Sequence, residues 1–242
     1  MLGLTAPVQK WVWSASGKHP VAKDFLRIGP ATAIGIGLSE WVAKGVAGLR
    51  MDLKTGRLPR FWRFWARGGG KNELVCGVLR DSCDSVGRAF PFLVLGTGGL
   101  PGCEEHWDLL PYGCEISWKR IEYLCTRNYA DVAGIDREVA NLRPPQGDWR
   151  QIKATCEAGA NDCPALGGME FNGKAGNGDC LTVKLDMAAP DTLLLVGLLL
   201  KRIRERHRVA PNIAFIGGTS DAAYLSIYWR PLLAGDFATL WG

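Results

Sequence analysis

The sequence predicts an α+β fold: a mixed, largely antiparallel sheet covered by helices, in a single compact domain. Three observations carry that reading. Short apolar runs with β-branched residues come in neighbouring pairs, Leu74–Leu79 with Phe90–Leu95 and Ile213–Ile216 with Tyr224–Tyr228, as antiparallel strands do. Helical patterns occupy Glu115–Asn141 and 187–208, apart from those pairs. No internal repeat or Pro/Gly-rich linker divides the 242 residues, and the place to look for an inserted excursion is the Gly/Asn/Asp-rich stretch 143–178, with room for one short helix.

The elements follow in chain order. Trp11-Val12-Trp13 alternates aromatic and β-branched residues and reads as a strand, ended by the turn residues Gly17-Lys18-His19-Pro20. Ser39 is placed to cap a helix from Glu40 to about Leu49, in which Gly45 and Gly48 are unfavourable unless a neighbour packs close. In LPRFWRFWARGGG (58–70), Phe61 and Trp65 lie four apart, as core residues of a helix would, which leaves Arg60, Arg63 and Arg67 for water. The glycine triplet is a loop. The connection Arg80–Ala89 is too long for a tight hairpin and too short for a usual helical crossover. Within 115–141, Asp131 restarts a second helix that ends near Leu142. Cys180–Leu185 alternates as a strand. Asp191 opens and Lys201, Arg202, Arg204, Arg206 and Arg208 close a buried helix, acid first and bases last as the helix dipole favours. Its apolar stretch is far shorter than the roughly 20 residues of a bilayer span, so membrane insertion is not expected. A short helix over Gly235–Leu240 ends the chain.

Composition restricts the chemistry. A net charge of +5 with 22% charged and 47% apolar residues excludes intrinsic disorder and does not call for a nucleic-acid partner. The basic run 201–208 is interrupted by Glu205 and lacks interleaved aromatics for base stacking. The eight cysteines form no Cys-x-x-Cys pair, and His19, His106 and His207 lie far apart, so neither a metal site nor a cofactor is expected. The opening MLGLTAPVQK has no secretory pattern; the chain is expected in the cytosol with reduced, mostly buried thiols. Gly35-Ile36-Gly37 places Glu40 where a dinucleotide fingerprint needs Gly, and no Walker loop or Gly-x-Ser-x-Gly occurs. What catalytic alternative remains is a thiol- or metal-dependent hydrolase using Cys83 or Cys103 with His106, each histidine being otherwise expected as a surface imidazole.

Three segments together carry more information. They are Gly17-Lys18-His19-Pro20 with Lys23-Asp24-Phe25-Leu26-Arg27; Pro59–Phe64 followed by Gly77-Val78-Leu79-Arg80-Asp81-Ser82-Cys83-Asp84-Ser85-Val86-Gly87-Arg88-Ala89-Phe90-Pro91-Phe92; and Phe215-Ile216-Gly217-Gly218 with Arg230-Pro231 and Phe237. This combination resembles the TagF (ImpM-type) family associated with type VI secretion. The resemblance covers the two ends and the first third of the chain, and at Ile216-Gly217 the sequence departs from the Trp-Thr usual there. It implies a cytoplasmic, non-catalytic accessory protein that represses secretion post-translationally by binding a forkhead-associated scaffold protein.

The block itself has a physical reading. A strand delivers Arg80 and Asp81 into a loop, Gly87 lets the backbone turn, and Asp84 lies four residues before Arg88, in reach of a charge-assisted bond. Two roles stay open for it. Either Arg88 braces the loop, on Asp84, Asp24 or a carbonyl, or Arg80, Asp84 and Arg88, with Arg60 and Arg63 as further candidates, shape a surface that docks a protein partner.

Overall fold

The computed structural model describes residues 9–49, 58–162, 174–176, 179–189 and 191–241. Its elements are β1 (Val12–Gly17), β2 (Leu26–Ile28), α1 (Ala33–Gly48), β3 (Phe61–Arg67), β4 (Glu73–Arg80), β5 (Phe92–Gly99), α2 (Leu110–Thr126), α3 (Val132–Ala140), α4 (Trp149–Asp162), β6 (Lys174–Gly176), β7 (Cys180–Leu185), α5 (Thr192–Arg206), β8 (Ile213–Gly218), β9 (Ala223–Tyr228) and α6 (Ala234–Trp241). A 3-10 turn at Trp107–Leu109 leads into α2. The strands form one nine-stranded sheet in the order β2-β1-β5-β4-β3-β8-β9-β7-β6. Every neighbouring pair is antiparallel. The expected α+β class in a single compact domain is what the chain adopts, with the β3–β8 pairing joining its two halves.

Helices cover both faces, and the two-residue strand period sorts side chains between them. In β4, Leu74, Cys76 and Val78 enter the core beneath α2, α3 and α5, while Val75 and Leu79 enter the core beneath α1 and α6. Strands buried on both sides read as continuous apolar runs rather than as alternation. That explains the misreading of β3. Trp62, Phe64 and Ala66 face one layer and Trp65 the other. The four-residue spacing of Phe61 and Trp65 is incidental, since 61–67 is an extended strand. Arg63, expected in water, lies against α2 between Glu115 and Glu122.

Helix α1 begins earlier than expected. Thr32 caps it by accepting the Gly35 N–H, and Ser39 stands mid-helix with its Oγ 2.8 Å from Ser16 Oγ on β1. Gly35 and Gly37 weaken the helical signal that would have announced this first turn. Gly45 is where α6 crosses: a Cβ there would lie 2.2 Å from the Phe237 ring. Asp131 caps α3 by accepting the Gly134 N–H, and Asp191, expected within the first turn, instead caps α5 by accepting the Leu193 and Leu194 N–H groups. Among the described residues of the excursion 143–178, helix α4 spans 14 residues, longer than expected; residues 163–173, 177 and 178 lie outside the described residues. Among those described, no helix is long and apolar enough to cross a membrane.

Gly17 and Gly37 give opposite predictions. At Gly17, φ is +124° and a Cβ would stand 2.1 Å from the Pro91 carbonyl oxygen, whereas at Gly37 nothing lies within 4 Å. Gly17→Ala is expected to cost about 1–3 kcal/mol, and Gly37→Ala to stabilise by about 1 kcal/mol. Urea unfolding midpoints check both signs.

Candidate functional site: the loop between β4 and β5

After Arg80 the chain leaves the sheet, returns through a bridge between Cys83 and Ala89, and re-enters as β5. At its tip Gly87, with φ +85°, donates its N–H to the Asp84 carbonyl at 2.9 Å, and Asp84 N–H donates to the Arg88 carbonyl at 3.1 Å. The Asp84 carboxylate folds back into this turn. Its Oδ1 accepts the N–H groups of Val86 (3.0 Å) and Arg88 (2.9 Å). Its Oδ2 accepts from Arg88 Nε at 2.7 Å and Lys18 Nζ at 3.1 Å, and none of the side chain is exposed. Burial alone would raise its pKa; the backbone donors and the two cations outweigh burial and hold the carboxyl well below the usual carboxylate range.

Lys18 arrives from the end of β1, where the close approach of Gly17 to Pro91 lets the two segments lie side by side. Ser85 N–H then donates to the Ala22 carbonyl at 2.8 Å, and Arg88 Nη2 to the Lys23 carbonyl. The segment 17–25 and the loop 81–90 are thereby fastened along their length. His19, expected as a surface imidazole, is 3% exposed between Phe92 and Tyr129. Its Nδ1 accepts the Val21 N–H at 3.2 Å, which fixes the neutral tautomer with the proton on Nε2. Burial, and then the charge of Arg80, push its pKa down to about 4.

The preceding acid, Asp81, makes a second tie. Its Oδ2 accepts the Arg60 N–H and its Oδ1 the Trp241 indole N–H, each at 2.8 Å, so the start of β3 and the end of α6 meet at the exit of β4. The C-terminal segment is held in turn by the Arg230–Asp236 fork, at 2.7 and 2.8 Å. Phe237 stacks on Trp241 with ring centroids 4.5 Å apart.

The structure brings Lys18, Asp84 and Arg88 together; Arg60 meets the loop through its backbone at Asp81, and Arg63 lies apart, against α2. Asp84 is enclosed and offers a partner no surface; the bracing role that the sequence left open is the one its geometry shows, with Arg88 gripping Asp84 and a carbonyl and not Asp24. Arg80, on the helix-covered side near Cys125 and His19, donates from Nε to the Asp81 carbonyl at 3.3 Å. Sequence reasoning missed Lys18 and His19 as members of this cluster. Their motif was visible, but the contacts span some 65 residues of sequence and no periodicity reports them.

Of the hydrolase candidates, Cys83 is set apart from His106, while Cys103 and His106 share the turn that follows β5. Cys83 lies beyond Arg80 at one end of the β4–β5 pair, while Cys103 and His106 follow Gly99 at the other, roughly 20 Å away along the strands. The Cys103 thiol is pushed up to about 11 by burial and by Glu104 and Glu105, and His106 stacks on Trp149 at 5.3 Å. Five of the seven described cysteines are buried, and no group of three or more metal-ligating side chains occurs among the described residues. In the basic run, Arg204 pairs with Asp108 at 2.6 Å and His207 stacks on Trp229.

Comparison with known proteins places residues 14–142, more than half of the chain, in the TagF N-terminal domain family, described as type VI secretion system-associated. No curated protein matches the chain. Among solved structures, the crystal structure of PA0076 from Pseudomonas aeruginosa PAO1 is similar over 94% of this chain and 93% of that one, with a TM-score of 0.57 and 20% identity. At that identity the likeness speaks for the fold alone.

The buried histidine predicts a pH effect whose sign follows from its neutral state. With a folded pKa of about 4 against 6.5, the unfolded chain binds more protons in that interval. The stability that neutral His19 supplies is fully present above pH 6.5 and is lost as pH falls toward 4. In His19→Asn, Oδ1 keeps an acceptor for the Val21 N–H and the titration is gone. Urea unfolding at neutral pH and near pH 5 is expected to show a smaller loss of stability for this variant than for the wild type.

Proposed function

Starting from the chain's membership of the TagF family of type VI secretion system-associated proteins, we propose that it is a cytoplasmic, non-enzymatic repressor of secretion assembly that binds a forkhead-associated scaffold protein of that system. One observation supports this most directly: the family signature builds a braced, solvent-facing loop. Val86 is 67% exposed and the Arg88 side chain 57% exposed, on a turn whose shape is set from below by buried Asp84. A surface already ordered in the free protein loses little conformational entropy on docking. An exposed arginine beside an exposed aliphatic side chain is also the composition from which interface hot spots are made.

The action is stoichiometric. Scaffold bound to this protein is withheld from assembly, and the fraction withheld follows the ratio of free concentration to Kd. Repression by this route is graded by expression level and reversed by dilution, and no side chain is required to turn anything over.

The test is titration of the purified chain with the purified scaffold protein. Val86→Asp is expected to weaken binding about tenfold or more with far-UV circular dichroism unchanged, and Arg88→Glu, which also takes a donor from buried Asp84, to weaken binding and lower the unfolding midpoint. Arg80→Glu, on the side of the sheet that α2 covers, serves as the comparison. Unfolding of both arginine variants would reduce these residues to braces, and a wild-type protein that fails to bind the scaffold overturns the proposal.

A further inference from the structure

On the α1/α6 side of the sheet, over β3, β8, β9 and β7, lies an open cavity of about 390 Å³. The strand registers explain it. Trp62 of β3 stands opposite Gly217 of β8, and Gly217 opposite Tyr224 of β9. A Cβ at Gly217 would lie 2.1 Å from the Phe61 carbonyl oxygen, so no side chain stands between Trp62 and Tyr224. In the next row the side chains shrink across the sheet, from Phe64 and Phe215 to Ser226 and Thr182. Helix α6 contributes Thr239 and Leu240, and Arg60 and Thr219 extend the lining.

This lining is rich in hydrogen-bond donors. Trp62 is 2% exposed, and its indole N–H meets no acceptor among the described residues. Trp13, Trp65 and Trp107 hold buried indole N–H groups in the same condition, but Trp62 is the one that lines this cavity, where an acceptor has room to enter. A buried donor left unmet costs free energy that a ligand oxygen recovers. Ser226, 1% exposed, has its Oγ 3.2 Å from Thr182 Oγ1; whichever of the two donates, the pair keeps one O–H proton to offer. Thr219 Oγ1 accepts the Ala222 N–H at 3.2 Å, which leaves its own proton to donate. Tyr224 adds a phenol and Arg60 a guanidinium, and no carboxylate is among the described residues of the lining.

We infer that this cavity binds a small molecule through an oxyanion, a phosphate or carboxylate group, at a site separate from the scaffold-binding loop proposed above. An oxyanion offers several acceptor lone pairs at one centre, and hydroxyl, indole and guanidinium donors are what it gains from. The volume of about 390 Å³ falls in the range of small-ligand sites, about 300–1,000 Å³. Trp62 and Tyr224 give the molecule's carbon skeleton an aromatic surface to pack on. The lining is also held in place before a ligand arrives. Asp81 accepts both the Arg60 N–H and the Trp241 indole N–H, so the start of β3 and the end of α6, which flank the cavity, are tied to one carboxylate.

The experiment follows the indole N–H resonances of the isotope-labelled full chain by NMR, at constant ionic strength, during titration with glycerol phosphate, inorganic phosphate, acetate and glycerol. The Trp62 resonance is the one that Trp62→Phe lacks; should that variant not fold, nuclear Overhauser contacts to the Phe215 ring assign it instead. A saturable shift of this resonance with at least one of the three anions, and none with glycerol, is expected. Tighter binding of glycerol phosphate than of inorganic phosphate assigns the site to a phosphorylated molecule, equal binding to the free ion, and a response to acetate alone to a carboxylate. Arg60→Gln and Thr182→Val are each expected to weaken that binding about tenfold or more. No saturable shift with any anion overturns the inference and leaves the Trp62 N–H to water. An equal shift with glycerol overturns it in favour of a neutral polyol, and unchanged affinity in both variants overturns it as well. None of these outcomes depends on whether the chain binds the scaffold protein.

Discussion

A carboxylate with no exposed surface governs the part of this molecule that its family signature describes. Burying a charge is costly unless every lone pair meets a donor. Asp84 meets that condition with two backbone N–H groups, a guanidinium and an ammonium, drawn from its own loop and from the end of β1. The requirement spreads outward. Lys18 reaches Asp84 only if the backbone at residue 17 passes within van der Waals contact of Pro91, which excludes a side chain there. The turn brings the Val86 and Arg88 N–H groups onto one oxygen with residue 87 in the left-handed region that glycine adopts freely. Glycine, lysine, aspartate, glycine and arginine are one solution to one desolvation problem.

Asp81, three residues earlier, solves a different one. Its position at the exit of β4 puts it on the α1/α6 side of the sheet, where it accepts from the first backbone N–H of the β3 region and from the indole of Trp241. The two acids thus fasten opposite ends of the chain to the same strand exit: β1 through Asp84, α6 through Asp81. The loop is rigid because both of its flanks are anchored to distant segments, and the sheet beneath it, covered on both faces, gives neither anchor room to move.

Much of this was legible in the sequence where local chemistry sufficed. Strands β4, β5, β7, β8 and β9 announce themselves by β-branched runs between turns, and the start of α3 by Asp131, a short acceptor ahead of an apolar face. The Asp84–Arg88 pair follows from spacing and a glycine between. Legibility failed where two distant elements share the decision. Phe61 and Trp65 carry a helical interval in a strand because layers on both sides of β3 take its side chains. Thr32 starts α1 although glycines follow, because Gly45 lets Phe237 close on the helix and packing outweighs propensity. His19 is buried by Phe92 and Tyr129, and Arg63 is drawn from water by Glu115 and Glu122, partners that no local pattern names.

The size of a stable interface bears on how such a protein holds its partner. A specific complex buries about 800 Å² on each side, contributed by roughly 20–30 residues. The exposed tip of the signature loop consists of Ser85, Val86, Gly87 and Arg88, which is too little by a wide margin. The face must therefore extend, and its surroundings differ in what they leave for a partner. Toward α2 and α3 the surface arginines Arg120 and Arg127 are already engaged by Glu138. Toward α1 the surface continues through Phe90 and Phe25 to Ile36, with Phe25 and Ile36 exposed. Exposed apolar area is what a docking partner gains from, and it lies on both flanks: Ile116, Tyr123 and Val132 on α2 and α3, Phe25 and Ile36 by β2 and α1.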